Sequence, residues 1–462
     1  MGTQLLPELV SEVLEHLHSA DWKHSFPMSC IAKETILSCS LVSRTWREVA
    51  QPHIFRDIVY SFCRPNGIGS LNDYEPQDTD PRFPGRFYQH VNTGESKPHK
   101  NLPMFVEFLQ QTPQAARCVR RLLLVADAWS WPETLPDEDC LDPTLLSTLT
   151  KLLPQLNELW LVDVVVRNSL SFCAATHLPS LPLLTVAYSN YVAPTSSLVA
   201  LLALFNKADT LNLKFRNLGC DTTSSTLQYV TPVPLETQTI WLSSSEDDVP
   251  KSLAAVLNYS LRLGRLRAIN IMCSTPSHYQ LTLDHLGPSI ECLRFTLRHP
   301  RNQYDGTLDG PAGTLSITSC IALQKVVIVV FIRARFKELL RGVLQDIQDV
   351  LDVARITRGR YPQLQEFVFE VYFESLVDPR YDFEVVDPRG MGDKVDEALV
   401  QVIRQSAVEK IGFNWFVFNE LMVKDGDYEE VQGFMSKLFP KLHEHQLTWF
   451  SGGRYPKWPD TN

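Results

Sequence analysis

The sequence predicts an α/β fold in which a short N-terminal helical segment precedes an irregular array of repeats, each with one strand and one helix. Three observations favour this fold. Apolar residues recur at three- and four-residue steps near the N-terminus, a short apolar pattern recurs from Val119 onward, and helix-like segments lie between many of its copies. At 462 residues the chain is too long for one compact core, so more than one structural unit is expected.

The N-terminal segment contains two apolar patterns with helical spacing. The first places six apolar side chains on one helix face: Leu6, Leu9, Val10, Val13, Leu14 and Leu17. The second runs from Ile36 to Val49 and includes Trp46. The apolar surface of two or three such helices is larger than a segment of about sixty residues can bury alone. We therefore expect it to pack on a partner or on the rest of the chain.

The composition changes between Arg64 and Asn101, where five prolines and four glycines are mixed with charged residues. Such a stretch is typical of a loop or linker. The predicted organisation is an N-terminal helical domain at residues 1–60, a linker at 61–101, a repeat array at 102–450 and a C-terminal tail at 451–462.

The repeated pattern has apolar residues at its fourth and sixth positions in every copy and at its first position in most copies. Its copies start at Val119, Leu156, Leu181, Ala208, Thr237, Leu266, Ile290, Leu323, Leu364, Val408 and Glu444. The middle copies are 24 to 29 residues apart, and one strand plus one helix at this spacing is the signature of leucine-rich repeats. No unit covers its own apolar face, so neighbours stack into a solenoid. The ninth position lacks the regular Asn or Cys and the late copies carry insertions, which predicts an irregular solenoid.

Composition and motifs argue against several classes of function. The formal net charge of −10 disfavours broad binding to nucleic acid, and apolar runs such as Val326 to Ile332 are too short to cross a membrane. No nucleophile elbow, phosphate-binding loop or His-Glu-x-x-His zinc motif is present. We therefore predict no catalytic residue, metal or cofactor and no enzymatic activity; an enzyme would need a polar pocket near residues 367–418.

The expected location is the cytoplasm, the nucleus or both. The N-terminus has no basic region followed by an apolar stretch, so a secretory signal is not expected. The ten cysteines are scattered along the chain, which is typical of reduced thiols.

Two blocks of the N-terminal segment resemble the F-box. They are Leu6-Pro7-Glu8-Leu9-Val10-Ser11-Glu12-Val13-Leu14 and Cys39-Ser40-Leu41-Val42-Ser43-Arg44-Thr45-Trp46. The continuation from Ala50 to Ile58 is similar to the version found in large fungal families, and so are Phe105 to Leu109, Pro113 and Val119 to Leu122. The interval between Leu17 and Glu34 is longer than is usual in the family.

The resemblance implies three helices that bind a Skp-type adaptor, which in turn links to a cullin scaffold. The positions that match the adaptor-contacting pattern are Leu6, Pro7, Leu9, Val13, Val42 and Trp46. An alternative is that these residues form only an internal core. For Val13 and Leu14 both possibilities stay open, whereas Leu6 and Pro7 are expected to face the partner.

A substrate surface is expected on the concave face of the repeats, to which the odd positions of each strand point. The residues of this prediction are Trp160, Asn212, Lys214, Trp241, Asn270, Met272 and Arg294. Aromatic side chains beside amide and basic groups are typical of protein-binding hot spots. Alternatively, a tryptophan here is covered by the linker, the insertions or the tail.

The resulting hypothesis is a substrate-recruiting adaptor of a Skp–cullin–F-box ubiquitin ligase, with an unknown protein as substrate. The alternative is a leucine-rich-repeat scaffold that binds its partner outside any ligase, with its N-terminal helices packed on its own repeats.

Overall fold

The computed structural model describes fifteen segments of the chain. They are residues 7–22, 30–62, 102–126, 141–165, 178–188, 193–215, 218–219, 234–244, 251–273, 279–297, 315–332, 337–354, 356–373, 390–417 and 427–452. The chain divides into two compact units, and the strand Ala208–Phe215 crosses the division. The first unit comprises residues 1–211 and 221–235, and the second comprises residues 212–220 and 236–462.

The first unit begins with three helices, α1 (Pro7–Trp22), α2 (Cys30–Ser40) and α3 (Arg44–Arg56). Val10, Leu14, Ile36 and Ala50 form their shared core. The helix α3 starts at a capping residue, because the side chain of Ser43 accepts a hydrogen bond from the backbone N–H of Trp46 at 3.2 Å. The apolar spacing of the sequence thus produces a small helical group with its own core.

The strand β1 (Asp57–Phe62) follows α3 without an intervening residue. The remaining elements of the first unit are α4 (Leu102–Gln111), α5 (Pro113–Cys118), β2 (Arg121–Ala126), α6 (Pro143–Leu152), β3 (Glu158–Val162), β4 (Leu181–Tyr188), β5 (Ala193–Pro194), α7 (Thr195–Leu202) and the start of β6 (Ala208–Phe215). The strands β1 to β4 pair in parallel and in chain order, and β6 follows β4 in the sheet. Residues 57–60, which the sequence analysis assigned to the helical domain without predicting a strand, thus belong to the first strand of the sheet.

The second unit repeats the alternation of strands and helices. Its elements are β7 (Leu218–Gly219), β8 (Thr239–Ser244), α8 (Lys251–Ser260), β9 (Ala268–Cys273), α9 (Gln280–Leu286), β10 (Cys292–Thr296), β11 (Lys325–Ile332), α10 (Lys337–Ala354), β12 (Glu366–Phe373), α11 (Met391–Gln405), β13 (Ile411–Val417), α12 (Asp427–Leu438), α13 (Pro440–Glu444) and β14 (Thr448–Gly452). The strands β8 to β14 pair in parallel and in chain order.

The predicted α/β class and the predicted strand positions are confirmed. A strand lies at each of the eleven copies of the apolar pattern, from β2 to β14. In the first ten copies the fourth and sixth positions are at most 1% exposed, as for Leu159 and Leu161 or Ile269 and Ile271. The alternation of side chains along a strand explains this, because positions four and six point to the same face of the sheet.

The register of the last copy was predicted incorrectly. The pattern placed Leu447 and Trp449 at the fourth and sixth positions, but Trp449 lies opposite Gly412 and Thr448 lies opposite Ile411. A shift of one residue moves every side chain of a strand to the other face, and Trp449 is accordingly 40% exposed. Gly412 permits this register, since a Cβ atom at that position would clash with the indole ring of Trp449.

A recurrent backbone contact marks the starts of the strands. The carbonyl oxygen of Arg120 accepts hydrogen bonds from the N–H groups of both Asn157 and Glu158, at 2.7 and 3.1 Å. In the second unit the carbonyls of Gln238, Arg267, Glu291 and Gln324 each accept two consecutive N–H groups of the next repeat in the same way. Each contact satisfies the N–H groups of the residue before the strand and of the first residue of the strand. The backbone therefore links neighbouring repeats at the starts of these strands.

The close approach of the Trp449 ring to Gly412 leads to a first prediction. We expect Gly412→Ala to destabilise the second unit by about 1–3 kcal/mol, because the added methyl group forces the Trp449 ring out of its place. The measurement is the free energy of unfolding from urea denaturation. Gly264→Ala is the matched control, since a Cβ atom there meets nothing within 4 Å. Equal effects of the two substitutions would contradict this account of the register.

Candidate functional site

Two groups of residues correspond to the sites that the sequence predicts. The first lies on the helices α1 to α3, and the second lies on the strands of the second unit. The helix α1 separates its apolar side chains into two faces: Val10 and Leu14 belong to the core, whereas Leu9 and Val13 are 46% and 49% exposed. For Val13 and Leu14, which could each have been core or interface, the structure therefore places only Leu14 in the core.

The turn between α2 and α3 carries further exposed apolar side chains. Leu41 and Val42 are held in the turn by hydrogen bonds from their N–H groups to the carbonyls of Ser38 and Cys39, both at 3.1 Å. Val42 is 67% exposed. We call Leu9, Val13, Leu37, Leu41 and Val42 the exposed apolar set.

The other predicted adaptor-binding residues differ in their surroundings. Pro7 is exposed at the start of α1, and Trp46 is partly buried because it packs against the core of the three helices. Leu6 lies outside the described residues. Trp46 thus contributes to the helical core, and Leu9, Val13 and Val42 offer the apolar surface that a partner could bury.

The second group of residues centres on Arg294 of β10, whose side chain lies on the face of the sheet opposite to Leu293 and Phe295. Arg294 is 4% exposed. We call Arg294, Asn270, Met272, Glu370 and Tyr372 the Arg294 cluster. Asn270 lies directly opposite Arg294 on β9, whereas Glu370 and Tyr372 belong to β12, so the arginine side chain reaches across β11.

The hydrogen bonds of the Arg294 cluster engage every donor of the guanidinium group. Nε and Nη2 donate to Oε2 of Glu370 at 3.0 and 2.7 Å. Nη1 donates to Oδ1 of Asn270 and to Sδ of Met272, both at 3.1 Å, and Nη2 also donates to the hydroxyl of Tyr372 at 3.3 Å. Because an arginine has five N–H donors, none is left for a ligand. Arg294 therefore joins three strands and is not a free anchor for a substrate.

The structure brings together only part of the predicted substrate surface. Asn270, Met272 and Arg294 share the cluster, and Trp241 lies directly opposite Asn270 on β8. The buried indole N–H of Trp241 makes no hydrogen bond within the described part of the chain.

The other predicted positions lie elsewhere. Trp160 belongs to the first unit and packs against an apolar cluster that includes Leu123 and Val162. Asn212 is buried and Lys214 is half-buried, both on β6. Met272, Trp241, Trp160 and Lys214 are only half-buried, and these side chains are the accessible part of the predicted surface.

Two members of the Arg294 cluster were missed by the sequence analysis. Glu370 and Tyr372 interrupt an otherwise mostly apolar strand, Glu366–Phe373. An acidic residue at the seventh position of a repeat, within a mostly apolar strand, could have indicated a buried ion pair, because buried charges are almost always paired. Its partner is 76 residues away in sequence, so the pairing itself could not be predicted from local patterns.

The described residues give little support for bound metal or small-molecule chemistry. No group of three or more His, Cys, Asp or Glu side chains among them is placed to hold a metal ion. An open groove of about 380 Å³ lies between α10 and α11 and is lined by Gln345, Gln348, Met391, Lys394, Glu397, Ala398 and Gln401. Burial raises the pKa of Cys292 to about 11, so its thiol is protonated at neutral pH and is a poor nucleophile.

Among the helices within the described segments, none is both long enough and apolar enough to cross a bilayer.

The buried ion pair of the Arg294 cluster leads to a second prediction. We expect Glu370→Leu to lower the free energy of unfolding by about 3–5 kcal/mol, because it leaves a buried guanidinium group without its carboxylate. The double variant Arg294→Met/Glu370→Leu removes both charges and should recover most of this loss. The measurement is urea denaturation of the single and double variants.

The control for this prediction lies on the same strand. Glu366 forms a solvent-exposed ion pair with Lys325 at 2.7 Å, so Glu366→Leu should cost less than about 1 kcal/mol. A Glu370→Leu effect as small as this would show that the Arg294 cluster does not join the strands.

Comparison with known proteins identifies no family for the chain. No protein-family model matches the sequence, and no curated protein matches it. The function of the two groups of residues is therefore inferred from the sequence motifs and from the contacts described above.

Proposed function

We propose that the protein is a substrate-recruiting adaptor of a Skp–cullin–F-box ubiquitin ligase. In this proposal α1 to α3 bind a Skp-type adaptor, which links to a cullin scaffold, and the repeat strands bind a protein substrate. The observation that carries the proposal is the exposure of Leu9, Val13 and Val42, three residues that the F-box resemblance assigns to the adaptor interface.

The division of α1 into two faces supports this assignment. A helix that served only an internal core would keep its large apolar side chains on the buried face. Here Val10 and Leu14 occupy that face, and Leu9 and Val13 form a second pair four residues apart on an accessible face. Burial of the exposed part of such a side chain contributes on the order of 1 kcal/mol, so the exposed apolar set would contribute to association with a partner that covers it.

The substrate half of the proposal is supported by the half-buried side chains of the repeat strands. Trp241 and Met272 combine large contact area with little charge, which is typical of protein-binding residues. Arg294 has a different role, because its donors are already engaged. Substrate recognition through the sheet therefore depends on apolar contact more than on the guanidinium group.

A second candidate function is a protein-binding scaffold outside any ligase, with the N-terminal helices packed on the repeats of the same chain. The observation that favours it is the direct continuation of α3 into β1, together with the packing of α3 against α5. A chain that is monodisperse without a Skp-type adaptor and does not bind one would support this candidate.

The ligase proposal predicts co-purification with a Skp-type adaptor. We expect the double variant Val13→Asp/Val42→Asp to reduce the recovered adaptor at least tenfold, because each aspartate places a charge in an apolar interface. The measurement is affinity purification of the co-expressed pair, with the adaptor quantified by gel densitometry. Trp46 is unsuited to this test, since it packs against the helical core.

The matched control is Leu281→Asp, which changes an apolar side chain of similar exposure, 45%, on α9 of the second unit. This control should bind the adaptor as well as the unmodified chain does. If the unmodified chain recovers no Skp-type adaptor, the ligase proposal fails.

A further inference from the structure

We infer that the edge of β2 is a docking site for the N-terminal segment, and that the strand β1 holds residues 7–62 on the remainder of the first unit by non-covalent contacts alone. The chain connection through residues 63–101 is then not needed for this attachment. The inference goes beyond the proposed function, because it holds whether or not the helices bind a Skp-type adaptor.

The backbone provides the first set of contacts. Six consecutive residue pairs join the two strands in parallel, from Asp57 opposite Arg121 to Phe62 opposite Ala126. The N–H of Arg120 donates to the carbonyl of Arg56 at 2.8 Å, so the pairing begins at the last residue of α3. Parallel addition of an extended segment to a sheet edge is a general mode of peptide binding.

A buried ion pair provides the second contact. Nε and Nη2 of Arg121 donate to Oδ1 and Oδ2 of Asp57 at 2.8 and 3.0 Å, in the two-bond geometry that matches a guanidinium to a carboxylate. Both side chains are buried, and Glu158 lies 4.0 Å from Nη1 of Arg121. Burial lowers the pKa of Arg121 and the charge of Asp57 opposes this shift, so the carboxylate compensates the buried cation.

Side chains on both faces of β1 provide the third set of contacts. Val59 packs against the apolar cluster that includes Leu123 and Val125 on one face. On the other face the ring of Tyr60 stacks on Phe105 of α4, with ring centroids 4.4 Å apart and planes inclined by 17°. β1 is thus held by backbone, charge and apolar contacts at once, all within the first unit.

Attachment of β1 also fixes the helix that precedes it. Because α3 ends at Arg56 and β1 begins at Asp57, no residue is available as a hinge between them. A partner bound to the exposed apolar set is therefore held at a defined orientation to the first strands of the sheet.

The test separates the N-terminal segment from the rest of the chain by cleavage. A protease recognition sequence is inserted between Gly85 and Arg86, outside the described residues, in the otherwise intact protein. After complete cleavage we expect the two fragments to co-elute in size-exclusion chromatography at the position of the uncut protein. Separate elution of the N-terminal fragment at micromolar concentration would overturn the inference.

Substitutions test whether the ion pair between Asp57 and Arg121 holds the N-terminal fragment. In the cleaved protein, Asp57→Ala should raise the fraction of free N-terminal fragment at least tenfold, because Arg121 then stays buried without its carboxylate. Glu366→Ala is the matched control, since it removes an exposed ion pair between two parallel strands of the second unit, and it should leave the association unchanged. Adaptor binding, measured separately on the uncut chain, distinguishes failure of this inference from failure of the ligase proposal.

Discussion

In-register parallel pairing of neighbouring strands is the constraint on which the rest of this protein depends. It places residues of the same repeat position opposite one another, so that Ile269, Leu293 and Val326 form a continuous buried row. No single strand buries such a row alone, because each side chain needs the next repeat as its neighbour. The same register sets Asp57 opposite Arg121 and Asn270 opposite Arg294. Both the apolar core and the buried charges follow from it.

The sequence predicts those parts of the structure that depend on local alternation. The fourth and sixth positions are apolar in each copy and buried in the first ten, since period-two alternation on a strand needs no knowledge of distant residues. The register of Trp449 could not be predicted in this way, because it depends on the absence of a side chain at Gly412, on another strand. The strand β1 could not be predicted in this way either, because Asp57–Phe62 follows a helix directly and carries no copy of the repeated pattern.

At the candidate sites, too, sequence patterns do not predict contacts between distant residues. Helical spacing alone gives an apolar face for α1 but does not separate Val13 from Leu14, and their burial differs only because α2 and α3 cover one side of the helix. In the sequence Arg294 is predicted as a binding residue, because it occupies an odd position of its strand, where the concave face is expected. Its partner Glu370 is two strands away, and because of this long-range pairing Arg294 is a structural contact and not the predicted binding residue. Buried polar residues are therefore the ones that sequence patterns place least well.

The carbonyl groups that each accept two N–H groups have a consequence for the spacing of the repeats. They lie at the start of a strand and align it with the preceding strand through backbone groups alone. This alignment does not require one fixed length of chain between one strand and the next. The same contact joins β9 to β10 across a short connection and β10 to β11 across a longer one. Connections of unequal length are thus compatible with the same alignment of neighbouring strands and with the same continuous rows of buried residues.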